Sequence, residues 1–134
     1  GIPYREGIVP NRYVGRTFIK PTQEERSAAV RLKLNVISDI VSDKRVIIVD
    51  DSIVRGTTSK ARVNNLKEAG AKEVHMRVSC PPHMNPCYYG IDFPDRKKLM
   101  AANHTNEEIC DYLNADSVSY LSQEGMVKVA GLPR

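Results

Sequence analysis

Two adjacent carboxylates, Asp50 and Asp51, are the side chains of this sequence best placed to do chemistry. They follow a run of four β-branched apolar residues, 46–49, and they precede a small polar loop that contains Arg55 and Gly56. Adjacent acids repel each other, so the pair favours a nearby cation or several hydroxyl donors. A few hard oxygen ligands of this kind suit Mg²⁺ that is shared with the phosphates of a substrate.

The loop after the acids predicts a phosphate site. Gly56 permits an unusual backbone conformation and a close approach to a ligand. Free amides at the start of the following helix bind phosphate dianions well, and Thr57, Thr58 and Ser59 can add hydroxyl donors. An ordinary Ser/Thr helix cap is the alternative, but it does not account for the acidic pair. The sequence contains no P-loop and no G-x-G-x-x-G motif, which excludes those two modes of phosphate binding.

The elements that must position this site form a βαβ unit. The apolar run predicts a strand at 45–50 that is buried on both faces. An amphipathic helix is expected at about 58–69, with Gly70 as its left-handed C-terminal cap. Alternating apolar residues predict a second strand at 73–79. The two strands should be parallel neighbours, which places the acids at the edge of the sheet where ligands bind.

The rest of the chain predicts shorter elements. In chain order these are a short strand with loops in 1–15, a charged loop in 16–29, a strand at 31–37 (or a helix from Glu24 running into it), a connection at 38–43, a proline-rich loop at 80–94, a helix at 95–102 capped by Asp95, a helix from the Thr105 capping box to about Leu113, a short edge strand at 117–121, and a last helical turn from Ser122 through Ala130.

Length and composition limit the class of protein. The 134 residues suit one domain, and the net charge of +4 is spread along the chain, so no nucleic-acid partner is predicted. No apolar run has transmembrane length and no secretory signal is present, so no membrane partner is predicted either. Three irregularly spaced cysteines fit a reducing cytoplasm. Because the chain opens at Gly1 without a methionine, we expect it to be a piece of a longer protein.

Residues 46–58 resemble the signature of type I phosphoribosyltransferases, which bind 5-phosphoribosyl-1-pyrophosphate (PRPP). Five further segments resemble the glutamine PRPP amidotransferase family: 1–7, 9–19, 30–35, 68–75 and 89–92. The resemblance implies an α/β, Rossmann-like parallel sheet flanked by helices and incomplete at its N-terminus. It further implies one partial phosphoribosyltransferase domain over 1–134, with a flexible loop at about 13–29 and a PRPP loop at 50–59.

The activity that the resemblance implies is transfer of the phosphoribosyl group from PRPP to ammonia derived from glutamine. The products are 5-phosphoribosylamine and pyrophosphate, in the first committed step of purine synthesis. Family members form oligomers, so a homo-oligomer is implied. The glutaminase domain and the pyrophosphate-binding loop find no match in the chain, so we expect the chain alone to be inactive. Two alternatives are a non-catalytic PRPP-sensing module of a regulator and a phosphoribosyltransferase with another acceptor, such as a purine base or orotate.

The resemblance also assigns site residues. Asp50 and Asp51 match the pair that binds Mg²⁺ and the ribose hydroxyls. The loop around the 5-phosphate comprises Ser52, Ile53, Val54, Arg55, Gly56, Thr57, Thr58 and Ser59. In the flexible loop, Arg16, Lys20 and Arg26 are candidates for meeting the pyrophosphate charge, with solvated surface charges as the alternative. Cys87 matches a segment that supplies one ligand of a 4Fe-4S cluster in some members. One cysteine of four cannot hold a cluster, so no cluster is expected in this chain. Whether the longer parent protein holds one is left open.

Overall fold

A three-stranded parallel sheet forms the centre of the protein in the computed structural model, which describes residues 1–10, 34–87, 89 and 95–131. Its strands lie in the order β3 (Arg45–Asp50), β4 (Glu73–Val78) and β5 (Ser117–Tyr120). A separate antiparallel pair consists of β1 (Ile8–Pro10) and β2 (Leu34–Val36). The predicted α/β fold class is confirmed, as are the parallel pairing of β3 with β4 and the edge position of the last strand.

Five α-helices and one 3₁₀ turn lie among the described residues. In chain order they are α1 (Ser38–Val41), α2 (Thr57–Glu68), the 3₁₀ turn Arg96–Lys98, α3 (Met100–Asn103), α4 (Asn106–Leu113) and α5 (Gln123–Ala130). The predicted connection at 38–43 therefore contains a short helix. Helix α2 links β3 to β4 and contacts both β4 and α4. Every helix in this part of the chain is too short or too polar to cross a membrane.

The hydrophobic core lies between one face of the sheet and helices α2 and α4. Alternate residues of β4 point into it, so that Val74, Met76 and Val78 are buried while their neighbours in the strand are only partly covered. Helix α2 contributes Val63 and Leu66, which are also fully buried. The amphipathic pattern predicted for α2 thus places its apolar face as expected. Full burial of each large apolar side chain contributes about 1.5 to 3 kcal/mol to stability.

The prediction that β3 is buried on both faces is wrong for the described part of the structure. Ile47 is 39% exposed and Val49 is 72% exposed, whereas Val46 and Ile48 pack against the core. The physical reason is that β3 is an edge strand of the described sheet, and the helices contact the opposite face. The continuous apolar run correctly predicted a strand but not its surroundings.

The helix predicted at 95–102 is divided in two. The Asp95 side chain caps the 3₁₀ turn by accepting the Lys97 N–H at 2.9 Å, as its predicted capping role requires. Leu99 then adopts an extended conformation and is 1% exposed. The Met100 N–H donates to the carbonyl oxygen of Val54 at 2.8 Å. Burial of Leu99 and this bond to the loop at residues 50–59 offset the loss of helical continuity.

The two other predicted helix starts are confirmed. In the capping box, Thr105 Oγ1 accepts the Glu108 N–H at 3.2 Å and the Thr105 N–H donates to Glu108 Oε2 at 2.8 Å. Ser122 Oγ caps α5 by accepting the Gly125 N–H at 3.0 Å. The predicted loop at 13–29, with Arg16, Lys20 and Arg26, lies outside the described residues, and so do residues 31–33 of the predicted strand.

Candidate functional site

The acidic pair lies at the carboxyl edge of the parallel sheet. Asp50 is the last residue of β3 and stands opposite Val78, the last residue of β4. Its carbonyl oxygen accepts the Ser79 N–H at 2.9 Å and the Ser79 hydroxyl at 3.2 Å. These bonds fix the point at which the chain leaves the sheet. Ligands of open parallel sheets bind beyond this edge.

The two carboxylates have different surroundings. The Asp50 carboxylate forms an ion pair with Arg62 of α2, and its Oδ1 accepts the Asp51 N–H at 3.2 Å. Both side chains of the pair are partly buried, at 17% exposure for Asp50 and 28% for Arg62. Asp51 is exposed, and its Oδ1 accepts only the neighbouring Ser52 hydroxyl, at 3.1 Å, among the contacts of the described residues.

Arg62 was missed by the sequence reasoning. The chain offers several cations on this helix, including Lys60 and Lys67, and helical periodicity alone does not show which of them reaches the strand end. Lys60 instead places its ammonium 4.2 Å from the centroid of the Tyr112 ring, and Lys67 lies 3.3 Å from the Asp116 carboxylate. The available signal was weaker: a partly buried acid at the end of a strand requires a counter-charge.

Gly56 has the unusual conformation that the sequence predicted. It is buried, its φ is +74°, and it immediately precedes α2. A Cβ atom at this position would lie 2.8 Å from Met100 Sδ, 2.9 Å from Met100 Cε and 3.1 Å from Tyr112 Cε1. Both the left-handed conformation and the contact with α3 and α4 therefore require glycine here.

The N-terminus of α2 carries no side-chain cap. No hydrogen bond from the side chain at its N-cap position is possible, since that residue is Gly56. Thr57 and Thr58 are exposed, whereas Ser59 is buried with 4% of its surface exposed. Unpartnered amides in the first turn of a helix carry partial positive charge, which suits an anion.

The middle of the loop is anchored to the protein interior. Ile53 is 1% exposed within the core, and the carbonyl oxygen of Val54 accepts the Met100 N–H. Arg55, which follows, is exposed. The loop therefore combines a buried hydrophobic anchor at Ile53 with an exposed cation at Arg55. The ligand roles of the loop residues stay predictions.

Cys80 and Cys87 are both free thiols. Cys80 Sγ donates to the Pro81 carbonyl oxygen at 3.2 Å and lies 3.8 Å from His83 Nε2. Burial, followed by the charge of Asp51, raises the pKa of the Cys80 thiol, which makes it a weaker nucleophile at neutral pH. Cys87 Sγ accepts the Tyr89 N–H at 3.4 Å. Within the described ranges, no three His, Cys, Asp or Glu side chains are grouped to hold a metal by themselves.

A groove of about 460 Å³ lies apart from the acidic loop. Its lining comes from α3, α4, β5 and the segment after β4, and it includes Met84, Ile109 and Tyr120. The Tyr120 hydroxyl is buried without a hydrogen-bond partner in the described structure, and burial raises its pKa. None of residues 50–59 lines this groove, so the groove is separate from the acidic pair and its loop.

Comparison with known proteins identifies close relatives over nearly the whole chain. No protein-family model matches. The amidophosphoribosyltransferase of Methanocaldococcus jannaschii is 58% identical over 131 residues, which are 98% of this chain and 28% of that protein. The amidophosphoribosyltransferase of Synechocystis is 57% identical over 98% of this chain and 26% of its own length.

Solved structures give the same result. The glutamine PRPP amidotransferase of B. subtilis, in complex with ADP and GMP, superimposes with a TM-score of 0.83 and 52% identity. The alignment covers 97% of this chain and 29% of that structure. The chain thus spans a little more than a quarter of the length of the relatives it matches. In sequence and in fold, the chain corresponds over nearly its whole length to one segment of the amidophosphoribosyltransferases.

Proposed function

We propose that this chain is the PRPP-binding segment of an amidophosphoribosyltransferase. The observation that carries the proposal is the juxtaposition of two carboxylates at the end of β3 with the uncapped N-terminus of α2. The chain matches about 28% of its relatives' length, so the complete reaction is proposed for a protein of that length. PRPP and Mg²⁺ binding are proposed for this chain itself.

The 5-phosphate of PRPP binds at the start of α2 in this proposal. The amides of the first turn and the exposed hydroxyls of Thr57 and Thr58 supply donors, and the Arg55 side chain supplies positive charge. Gly56, with its left-handed backbone conformation, directly precedes these donors in the chain. Helix N-termini of this kind favour phosphate dianions through both hydrogen bonds and the helix dipole.

The ribose hydroxyls and Mg²⁺ lie at the acidic pair in this proposal. Mg²⁺ is commonly held by one or two carboxylates together with substrate phosphates, and the exposed Asp51 beside Asp50 fits that donor set. The absence of a larger cluster among the described residues fits a metal that arrives with its substrate. When bound, Mg²⁺ would offset the negative charge of the departing pyrophosphate.

The chain's own residues then act by position and charge. As the bond between the ribosyl C1 and the pyrophosphate oxygen breaks, the nitrogen of ammonia forms a new bond to C1, so no nucleophilic side chain is required. The phosphate site and the acids hold the ribose ring still while positive charge develops on it. We propose Arg16, Lys20 and Arg26 as the groups that meet the pyrophosphate charge.

Further expectations depend on the family resemblance alone. They are a homo-oligomer, a cytoplasmic location, a place in de novo purine synthesis, and a 4Fe-4S cluster in a longer parent with Cys87 as one ligand. The Cys87 thiol accepts a backbone N–H, as cluster-ligating sulfurs commonly do.

Calorimetric titration of the 134-residue chain with PRPP tests the proposal. We expect saturable heat that requires Mg²⁺, and a loss of at least about tenfold in affinity for Asp51→Asn, equivalent to about 1.4 kcal/mol. Glu68→Gln is the matched control, because Glu68 is an exposed acid at the opposite end of α2. Binding without any Mg²⁺ dependence, or equal affinity of Asp51→Asn and wild type, would refute the site assignment.

A further inference from the structure

We propose that Arg62 is a positioning residue for the loop at residues 50–59. By holding the Asp50 carboxylate, Arg62 keeps the start of the loop in one orientation. Asp51 is then the carboxylate that meets Mg²⁺ and ribose. The identity of the ligand in this inference rests on the proposed function. The division of labour between the two acids and the part played by Arg62 rest on the geometry.

The ion pair joins the two elements that flank the loop. Asp50 ends β3, and Arg62 lies in the second turn of α2, so residues 51–56 span the gap between the two partners. Both side chains are partly buried. A partly buried charge requires compensation, since removal of one partner leaves the other charge desolvated. Each partner therefore holds the other in one orientation.

Arg62 acts on the ligand side through the backbone of Asp51. The Arg62 guanidinium bonds to Oδ2 of Asp50, and Oδ1 of the same carboxylate accepts the Asp51 N–H at 3.2 Å. The planar carboxylate thus transmits the orientation imposed by α2 to the first residue of the loop. The distal half of the loop has separate anchors in Ile53 and Val54, so the proximal half depends on this bond.

Among the contacts of the described residues, Asp50 pairs with Arg62 and with no other cation. Lys60 stacks over the Tyr112 ring, and Arg55 is exposed. Arg62 is thus the cation that neutralises Asp50, and Asp51 keeps a solvent-facing carboxylate with only a neighbouring hydroxyl as partner. A competing account is that Arg62 merely blocks Asp50. In that account, removing Arg62 frees a second carboxylate and tightens Mg²⁺ binding.

Three variants of the 134-residue chain separate these accounts: Arg62→Met, Arg62→Lys and the double variant Asp50→Asn/Arg62→Met. For Arg62→Met we expect about tenfold weaker binding of Mg²⁺–PRPP by calorimetry and faster amide hydrogen exchange at residues 51–56 without ligand. Arg62→Lys should recover most of both losses. In the Asp50→Asn background, Arg62→Met should change affinity less than twofold, because Arg62 acts through Asp50.

Tighter or unchanged Mg²⁺–PRPP binding by Arg62→Met overturns the inference, as does a full further loss in the Asp50→Asn background. Thermal unfolding identifies a purely structural role, in which the midpoint falls while affinity and loop exchange stay the same. If wild type shows no Mg²⁺-dependent binding, the proposed function fails, and ligand-free exchange still decides the inference: unchanged protection of residues 51–56 in Arg62→Met refutes it. Should Arg62→Met not fold, the double variant and Arg62→Lys supply the same comparison without a half-buried lone charge.

Discussion

Replacing Gly56 with alanine should destabilise the protein more than the same replacement at Gly131, which lies outside the loop. Gly56 combines a φ of +74° with close contact to Met100 and Tyr112, so the added methyl group meets two separate penalties. The backbone conformation costs an L-residue about 1 to 2 kcal/mol. The methyl group itself would lie 2.8 Å from the Met100 sulfur, well inside normal contact.

The magnitude follows from these penalties and one offset. Overpacking a close site costs about 1 to 3 kcal/mol, and the low end applies here because the end of the Met100 side chain can move. Alanine also restricts the unfolded chain, which returns about 0.4 to 1 kcal/mol. We therefore expect Gly56→Ala to lower the free energy of unfolding by about 2 kcal/mol.

Gly131→Ala is the matched control. Gly131 also has a positive φ, +66°, but no atom of the described residues lies within 4 Å of the position of its Cβ. It should therefore show the backbone penalty alone, about 0.5 to 1 kcal/mol after the same offset. The assay is urea unfolding followed by circular dichroism at fixed temperature for wild type and both variants. Equal losses for the two variants, or a change below about 0.5 kcal/mol for Gly56→Ala, would refute the packing argument.

Three further experiments test separate parts of the fold. Thr105→Ala removes the capping box with Glu108 and should cost about 1 kcal/mol in urea unfolding, whereas Thr105→Ser should cost little. The Asp116 carboxylate accepts the Val74 N–H at 2.7 Å, and this hydrogen bond lowers the pKa of Asp116. Asp116 therefore stabilises the protein above about pH 4 and loses that effect as the pH falls toward its folded pKa. Asp116→Asn should flatten the decline of the melting temperature between about pH 5 and pH 2, and an unchanged profile would contradict this. Val49→Thr, at a side chain 72% exposed, should change stability by less than about 0.5 kcal/mol, whereas Val74→Thr in the core should cost at least about 1 kcal/mol.

Local patterns predicted most of the fold. Alternation and apolar runs located β3, β4 and β5, and short-range capping chemistry located the starts of α4 and α5. Each of these signals depends on residues that are close to one another in the sequence. The acidic pair could be placed at the carboxyl edge of the sheet for the same reason, because it directly follows a clear strand.

Features that depend on tertiary contacts could not be predicted. The exposure of Val49 depends on which face the helices cover, and the break at Leu99 depends on a bond from Met100 to the Val54 carbonyl oxygen. The partner of Asp50 depends on which cation of α2 points toward the sheet, and only the three-dimensional structure shows that it is Arg62. In each case the sequence shows the local preference, and distant packing selects among the outcomes.

Mapping of the bound ligand onto the chain tests the central claim most directly. In a ¹⁵N-resolved NMR titration with Mg²⁺–PRPP, the account predicts that the largest amide shifts fall at residues 51–59, and that Asp51→Asn requires at least about tenfold more ligand to reach them. The groove that contains Met84 and Tyr120 should be undisturbed. Shifts concentrated at that groove, or no shifts at residues 51–59 at saturating ligand, would contradict the assignment of the PRPP site.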